Sequence, residues 1–369
     1  MVEIVGQIDI LLYINIMKYY NKSIKIFSIS LIFLLLVASC NKTDEISKKS
    51  KESQSKLLLG TSCKISIYDY PSEKAFKQSF KRIEDIEDKM SIRISSSEVS
   101  MINKNAGIKP VVVSKDTFKV VKKAIENAKL SDGAFDPTVG PLVSAWDIGF
   151  DDARVPLQEE IDSLLPLIGY NMITLNEENQ SVYLQKKGIM LDLGGIAKGY
   201  AADEVAKILK SFNSEKAIIN LGGNILTIGL RVNETKWRIG IQKPQSDRGE
   251  YVMIVNLEDL ALVTSGPYER FFISDDVLYH HILDTKTGYP VKTNLTSVSI
   301  IANNSFIADA LSTAVYSLGL EKGLSLINSL DKVEAIFIDN LNNIYLSKGF
   351  EDNSITYVLS DESFKVIEP

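Results

Sequence analysis

The sequence predicts an α/β fold of the α+β kind, mixed sheets with covering helices, and three observations predict it. Short runs rich in β-branched residues, bounded by Gly, Asn, Asp or Pro, recur along the chain. Stretches with apolar residues at helical spacing alternate irregularly with them. The 369 residues are 45% apolar and 24% charged, ordinary globular values, and show neither an internal repeat nor a low-complexity tract beyond the N-terminal region. The formal net charge of −6 excludes the basic footprint of a nucleic-acid binder.

The N-terminal region differs in composition from the rest. The run IKIFSISLIFLLLVASC, residues 24–40, follows Lys18 and Lys22 and has the length of a secretory signal rather than of a membrane span. Residues 1–39 therefore read as a signal peptide whose true start is Met17. Ala38 and Ser39 before Cys40 resemble a bacterial lipobox, at which the signal is cut and Cys40 is lipidated (palmitate among the acyl chains). Cys63 is the other cysteine of two, so with Cys40 acylated no disulfide forms. Residues 40–56 are polar and without apolar period, which predicts a flexible tether. Residues 57–369 then form the catalytic or binding body, a lipid-anchored unit at the bacterial cell envelope, facing outside the cytoplasm.

Within the body, Phe76, Phe80, Ile83 and Met90 predict an amphipathic helix over 72–90, and Phe118, Val121, Ile125 and Ala128 predict a second. The strands predicted are CKISIYD, SVYLQ, KAIINL, WRIGIQ, YVMIVNL, LALVTS and TSVSIIA.

Four segments carry candidate chemistry. LDLGGIAKGYAAD, 191–203, reads as a strand, a Gly-rich turn and a helix start near Ile196, which is either a tight turn needing Gly or an anion site built from helix N-terminal amides. INLGGN, 219–224, is a second Gly-rich turn, either a plain hairpin or a further wall of the same cleft. In ADALSTA, 308–314, Asp309 and Thr313 lie four apart, off the apolar stripe Ile307, Leu311, Val315 and Leu318. That pair is either a solvated helix face or an oxygen site for a hard cation such as Mg²⁺. His280 and His281 are the only two histidines, and a strand would point them to opposite faces, so at most one enters a given site, with Asp284 as a candidate orienter. No Cys/His cluster with zinc spacing and no G-x-S-x-G elbow occurs.

Taken together with SDGAFDPTVGPLVSAW (131–146), TSGPYERFF (264–272) and HHILDTKTGYP (280–290), these segments resemble, in order and spacing, the ApbE family of flavin transferases, over about residues 57–346. The resemblance implies an ApbE-like, T-fold-like architecture with FAD as substrate in a central cleft and Mg²⁺ on its pyrophosphate. It implies metal ligands at Asp309, Thr313 and the Gly195 carbonyl, and FAD contacts from Leu59, Ala134, Phe135, Asp136, Asp192, Lys198 and Leu283. Two departures stand out: Ser312 occupies a position where relatives often carry a second acid, and Arg93, in MSIRISSSE, replaces an aromatic expected beside the flavin. The activity implied is Mg²⁺-dependent transfer of FMN from FAD to a Ser or Thr hydroxyl of an acceptor flavoprotein, such as a redox-pump subunit or FMN-binding domain, with His281 as base and AMP released. The competing readings are an FAD pyrophosphatase, in which water replaces the hydroxyl, and a non-catalytic flavin-binding lipoprotein.

Overall fold

The strands expected from alternation all form, and most of them join one large sheet. In a computed structural model that describes residues 51–246, 249–351 and 355–367, nine strands lie in the order β1 (Glu52–Leu58), β2 (Thr61–Ile67), β6 (Ala217–Leu221), β7 (Asn224–Ile228), β10 (Ala261–Ser265), β13 (Leu295–Ala302), β14 (Val333–Asp339), β15 (Asn343–Leu346) and β17 (Lys365–Ile367). Neighbours pair antiparallel except β15 with β17. Two three-stranded sheets flank it, β16 (Thr356–Leu359), β9 (Tyr251–Leu257), β8 (Trp237–Gln242) and β3 (Val111–Val112), β5 (Ser181–Leu184), β4 (Ile173–Asn176). A separate ribbon pairs β11 (Phe271–Ser274) with β12 (Val277–His280). The helices are α1 (Glu73–Met90), α2 (Glu98–Lys104), α3 (Lys115–Leu130), α4 (Gly140–Trp146), α5 (Gln158–Leu164), α6 (Ala197–Ser211) and α7 (Ser305–Asn328). Residues from Ser50 onward form one compact unit.

The large sheet is buried on both faces because its strands alternate between two cores. Along β10, Ala261 and Val263 join the core shared with α1, α6 and α7, while Leu262 joins a second core with Trp237, Ile239 and Val255. Along β14, Ala335 and Phe337 face the first core and Ile336 and Ile338 the second. A third, smaller cluster gathers Leu142, Trp146, Ile148, Ile161 and Leu283. Among the described residues no helix is long and apolar enough to cross a membrane.

The signal peptide, Cys40 and the first part of the tether lie outside the described residues. The end of the expected tether is a correction. Residues 52–56 are not a linker but the greater part of β1, paired in register from Glu52↔Ile67 to Leu58↔Thr61. Their polarity misled because β1 is the sheet's edge, where charged side chains are the usual guard against further pairing.

On α7, of the two readings left open for Asp309, the solvated face does not hold. The stripe Ile307, Leu311, Val315, Leu318 would leave Asp309 on a solvated face, yet Phe306, Ala308, Asp309, Ala310, Leu311, Ser312, Ala314 and Val315 are all buried. The helix is enclosed on most sides, as an all-round apolar helix must be. It breaks at Gly319, whose φ of 75° leaves the helical region.

Candidate functional site

The Gly-rich motif meets α7 through one close approach. A Cβ on Gly199 would stand 2.2 Å from the Ser305 carbonyl oxygen and 2.7 Å from Asp309 Cβ, so glycine there lets α6 and α7 touch. The Gly199 N–H donates to Asp309 Oδ2 at 2.8 Å instead of to the carbonyl of Gly195 four residues back, which leaves that carbonyl out of the helix ladder. Asp203, one turn on, accepts from the N–H groups of Ser305 and Phe306 at 2.8 and 3.2 Å and so caps α7, while burial raises its carboxyl to about 6. The Asn304 side chain completes the cap by accepting from Ile307 N–H.

The residues expected to hold a metal lie at this α6–α7 contact. Thr313 Oγ1 lies 3.5 Å from the position a Gly195 Cβ would take, and Phe135 Cε2 lies 3.2 Å from it. Lys198 Nζ is 3.5 Å from Asp309 Oδ1 and donates to the Gly194 carbonyl at 3.1 Å. One buried carboxylate, one hydroxyl and one released carbonyl are hard oxygen donors, and they fit Mg²⁺, which takes few protein ligands and completes its shell with water and phosphate oxygens. Ser312 adds nothing to this set: its hydroxyl donates to the Asp309 carbonyl and meets Ser265 Oγ at 2.8 Å.

The segment before the glycines is not the expected strand. Met190 makes an isolated bridge to Val139, and the Asn103 amide pairs both with the Leu191 N–H at 2.7 Å and with its carbonyl at 3.0 Å, standing in for a strand neighbour. Asp192 follows, accepting from the Gly194 N–H at 2.6 Å. Burial pushes its carboxyl up, against that hydrogen bond and the opposing charges of Arg93, Lys198 and Arg270.

His280 and His281 take separate roles. His280 is buried, accepts the Ile282 N–H on Nδ1, donates from Nε2 to the Val291 carbonyl at 3.1 Å, and meets Tyr316 edge-on. It is a satisfied core histidine. His281 donates from Nδ1 to the Arg270 carbonyl at 3.1 Å, which leaves Nε2 carrying the lone pair of a base. Burial lowers its pKa to about 4, with the charges of Arg270, His280 and Lys198 adding to the effect and the Arg270 carbonyl opposing it. Asp284, a candidate orienter, is not one. Its carboxylate accepts from Lys286 and Thr287 N–H at 2.7 and 3.1 Å and shapes the following turn.

Arg93 is paired with Asp147, and its guanidinium lies 3.8 Å over the Phe150 ring. Arg270 approaches the same ring at 6.0 Å and donates to the Gly60 carbonyl at 3.1 Å, tying in the tight β1–β2 turn in which Leu59 has φ 54°. Ala134 and Phe135 sit where Thr285 Oγ1 donates to the Gly133 carbonyl at 2.7 Å, and Trp146 Nε1 donates to the Gly288 carbonyl at 2.8 Å, so the 131–146 and 280–290 motifs are stitched together at two points. Two expected contacts are turned inward. The Asp136 carboxylate accepts from Thr138 N–H, Thr138 Oγ1 and Tyr170 N–H, and Leu283 is buried against the Trp146 cluster, so either can reach a ligand only through its backbone. INLGGN is a two-residue hairpin, Leu221↔Asn224, with φ of 63° and 92° at Gly222 and Gly223. Sequence reasoning missed Arg270, Phe150 and Asp147. Arg270 lay inside a quoted motif but was not singled out, and Phe150 and Asp147 carry no local signal.

A cavity of about 720 Å³ opens beside Asp203 and Asn304, where α7 is capped, and is lined also by Lys119, Tyr200, Lys207 and Phe306. Hard oxygen donors, Lys and Arg side chains and an imidazole with an unbonded Nε2 suit chemistry on phosphoanhydrides. The chain belongs to the ApbE family, whose model matches residues 59–337. It is 36% identical to the FAD:protein FMN transferase of Klebsiella pneumoniae over 86% of this chain and 97% of that protein, and 34% identical to that of Treponema pallidum over 86% and 91%. The crystal structure of the ApbE protein from Thermotoga maritima superposes with a TM-score of 0.76 at 33% identity, covering 82% of this chain and 98% of that one. The flavin transferase ApbE from Vibrio cholerae gives 0.73 at 30%, covering 82% and 99%.

Proposed function

We propose that this protein is an FAD:protein FMN transferase that links FMN to a Ser or Thr hydroxyl of an acceptor protein and releases AMP. The observation that carries the reading is the fixed tautomer of His281, whose Nδ1–H is held by the Arg270 carbonyl while Nε2 stays neutral beside a cationic site. In the reaction the acceptor oxygen forms a bond to the FMN phosphorus, the pyrophosphate P–O bond to AMP breaks, and the acceptor proton passes to His281 Nε2. Asp309, Thr313 and the Gly195 carbonyl would hold Mg²⁺, which when bound neutralises charge on the pyrophosphate. Lys198 and Arg270 add fixed positive charge beside the same phosphates. Arg93, braced by Asp147 and Phe150, lines the flavin side.

The lipid anchor on Cys40 and a location at the bacterial cell envelope rest on the sequence of residues 18–40. The test of the activity is incubation with FAD, Mg²⁺ and a Thr-bearing FMN-binding domain, read by intact mass and by released AMP. An acceptor heavier by one FMN supports transfer. AMP and free FMN without an adduct would favour hydrolysis, and no AMP would favour a binder.

A further inference from the structure

We infer that the β11–β12 ribbon is the docking surface for the acceptor protein, gripping the extended segment that carries the flavinylated hydroxyl. The inference rests on the transferase reading above. The ribbon's cross-strand pairs are Phe271↔His280, Phe272↔Tyr279, Ile273↔Leu278 and Ser274↔Val277. One face is internal: Phe272 and Tyr279 stack at 5.4 Å and Tyr279 meets Trp146 at 5.4 Å. The opposite face presents Phe271, Ile273 and Leu278, which are 44%, 64% and 43% exposed, and is closed at its base by the buried His280, while Val277, 49% exposed, stands at the tip of the first face. Among the described residues these two strands pair only with each other, so neither outer edge carries a ladder partner.

The occupant follows from where the ribbon ends. β12 runs directly into His281, and β11 starts directly after Arg270, whose carbonyl holds the His281 ring. At about 3.3 Å per residue, Leu278 stands roughly 10 Å along the chain from His281, three or so residues of an extended peptide. A peptide that brings its hydroxyl to Nε2 therefore has flanking residues within reach of the ribbon. Phe271, Ile273, Val277 and Leu278 leave the outer part of the ribbon with exposed apolar side chains, and an added strand with apolar side chains would cover both an edge and these side chains.

The test is the double variant Ile273→Glu, Leu278→Glu, with Leu278→Ser as a milder change, assayed in the full chain with FAD, Mg²⁺ and the Thr-bearing FMN-binding domain. The expected result is a KM for the acceptor raised about tenfold or more with FAD affinity and melting temperature unchanged. An unchanged acceptor KM would overturn the docking assignment, as would a dimer of wild type that the double variant dissociates without affecting transfer. Parallel loss of FAD affinity would also overturn it, because the ribbon would then be shaping the site and not the encounter. Failure of the wild-type chain to modify the acceptor strikes the transferase reading itself, a distinct outcome visible before any variant is made.

Discussion

The Gly199 N–H donates to Asp309 Oδ2 at 2.8 Å, and this one bond both docks α6 on α7 and frees the Gly195 carbonyl for a ligand. The two consequences are separable by substitution.

Gly199→Ala tests the docking. The added Cβ would meet the Ser305 carbonyl oxygen at 2.2 Å, backbone against backbone, so the helices must part. A loss of about 1–3 kcal/mol in denaturant unfolding is expected, the usual scale of overpacking, together with reduced transfer. Unchanged stability would mean that the helices yield more readily than their contacts suggest.

Asp309→Asn tests the ligand. The amide oxygen still accepts the Gly199 N–H, so the fold persists, while Lys198 loses its partner at 3.5 Å and the cation site loses its only carboxylate. The half-saturating Mg²⁺ concentration should rise by about tenfold or more, read from a Mg²⁺ titration of AMP release. An unaltered titration removes Asp309 from the metal site.

Asp116 anchors the far side of α6. Arg82 forks onto it with two bonds of 2.7 Å, and Lys89 and Tyr200 bond it at 2.6 Å. The Arg82 bonds, with those from Lys89 and Tyr200, hold its carboxyl well below the usual range against burial. A folded pKa below the unfolded value means that the stabilisation is present above about pH 4 and is lost as pH falls below it. Asp116→Asn should cost about 1.5–3 kcal/mol near pH 7 and progressively less in acid, checked by urea unfolding of both proteins across pH. A gap that persisted undiminished into strong acid would contradict the assignment.

His281 gives the pH dependence of the reaction. Its pKa is lowered by burial to about 4, so Nε2 is already unprotonated at pH 6 and the base is lost only as pH falls toward 4. Imidazole titration by NMR, with His280→Gln to separate the two histidines, should place the His281 midpoint near 4 and not near the ordinary 6.5. A midpoint at 6.5 would mean that the ring is solvated in the free enzyme.

Much of the sheet was legible because β-branched runs and their Gly or Asn boundaries are local signals, and the seven strands named from them form, whereas the strand expected before Gly194 does not. The shared face of Asp309 and Thr313 was legible from their spacing of four, while the place of Gly195 beside them came from the family resemblance. What was not legible depended on partners far along the chain. Burial of Asp309 requires α6 to pack through Gly199, and the place of Arg93 is set by Asp147 and Phe150, more than fifty residues on. The residues 52–56 read as tether because an edge strand is polar for the same reason a tether is. Asp284 and Asp136 read as site residues, but Asp284 accepts from the N–H groups of its own turn and Asp136 from Thr138 and the distant Tyr170 N–H, a use that type and spacing do not reveal.

The central claim is that His281 Nε2 takes the acceptor proton, and intact-mass measurement of an acceptor domain treated with FAD, Mg²⁺ and either wild type or His281→Ala tests it most directly. The account predicts an FMN adduct with wild type and a rate lower by about 10²–10⁴-fold with the variant, at unchanged FAD affinity. Equal adduct formation by both proteins would contradict it.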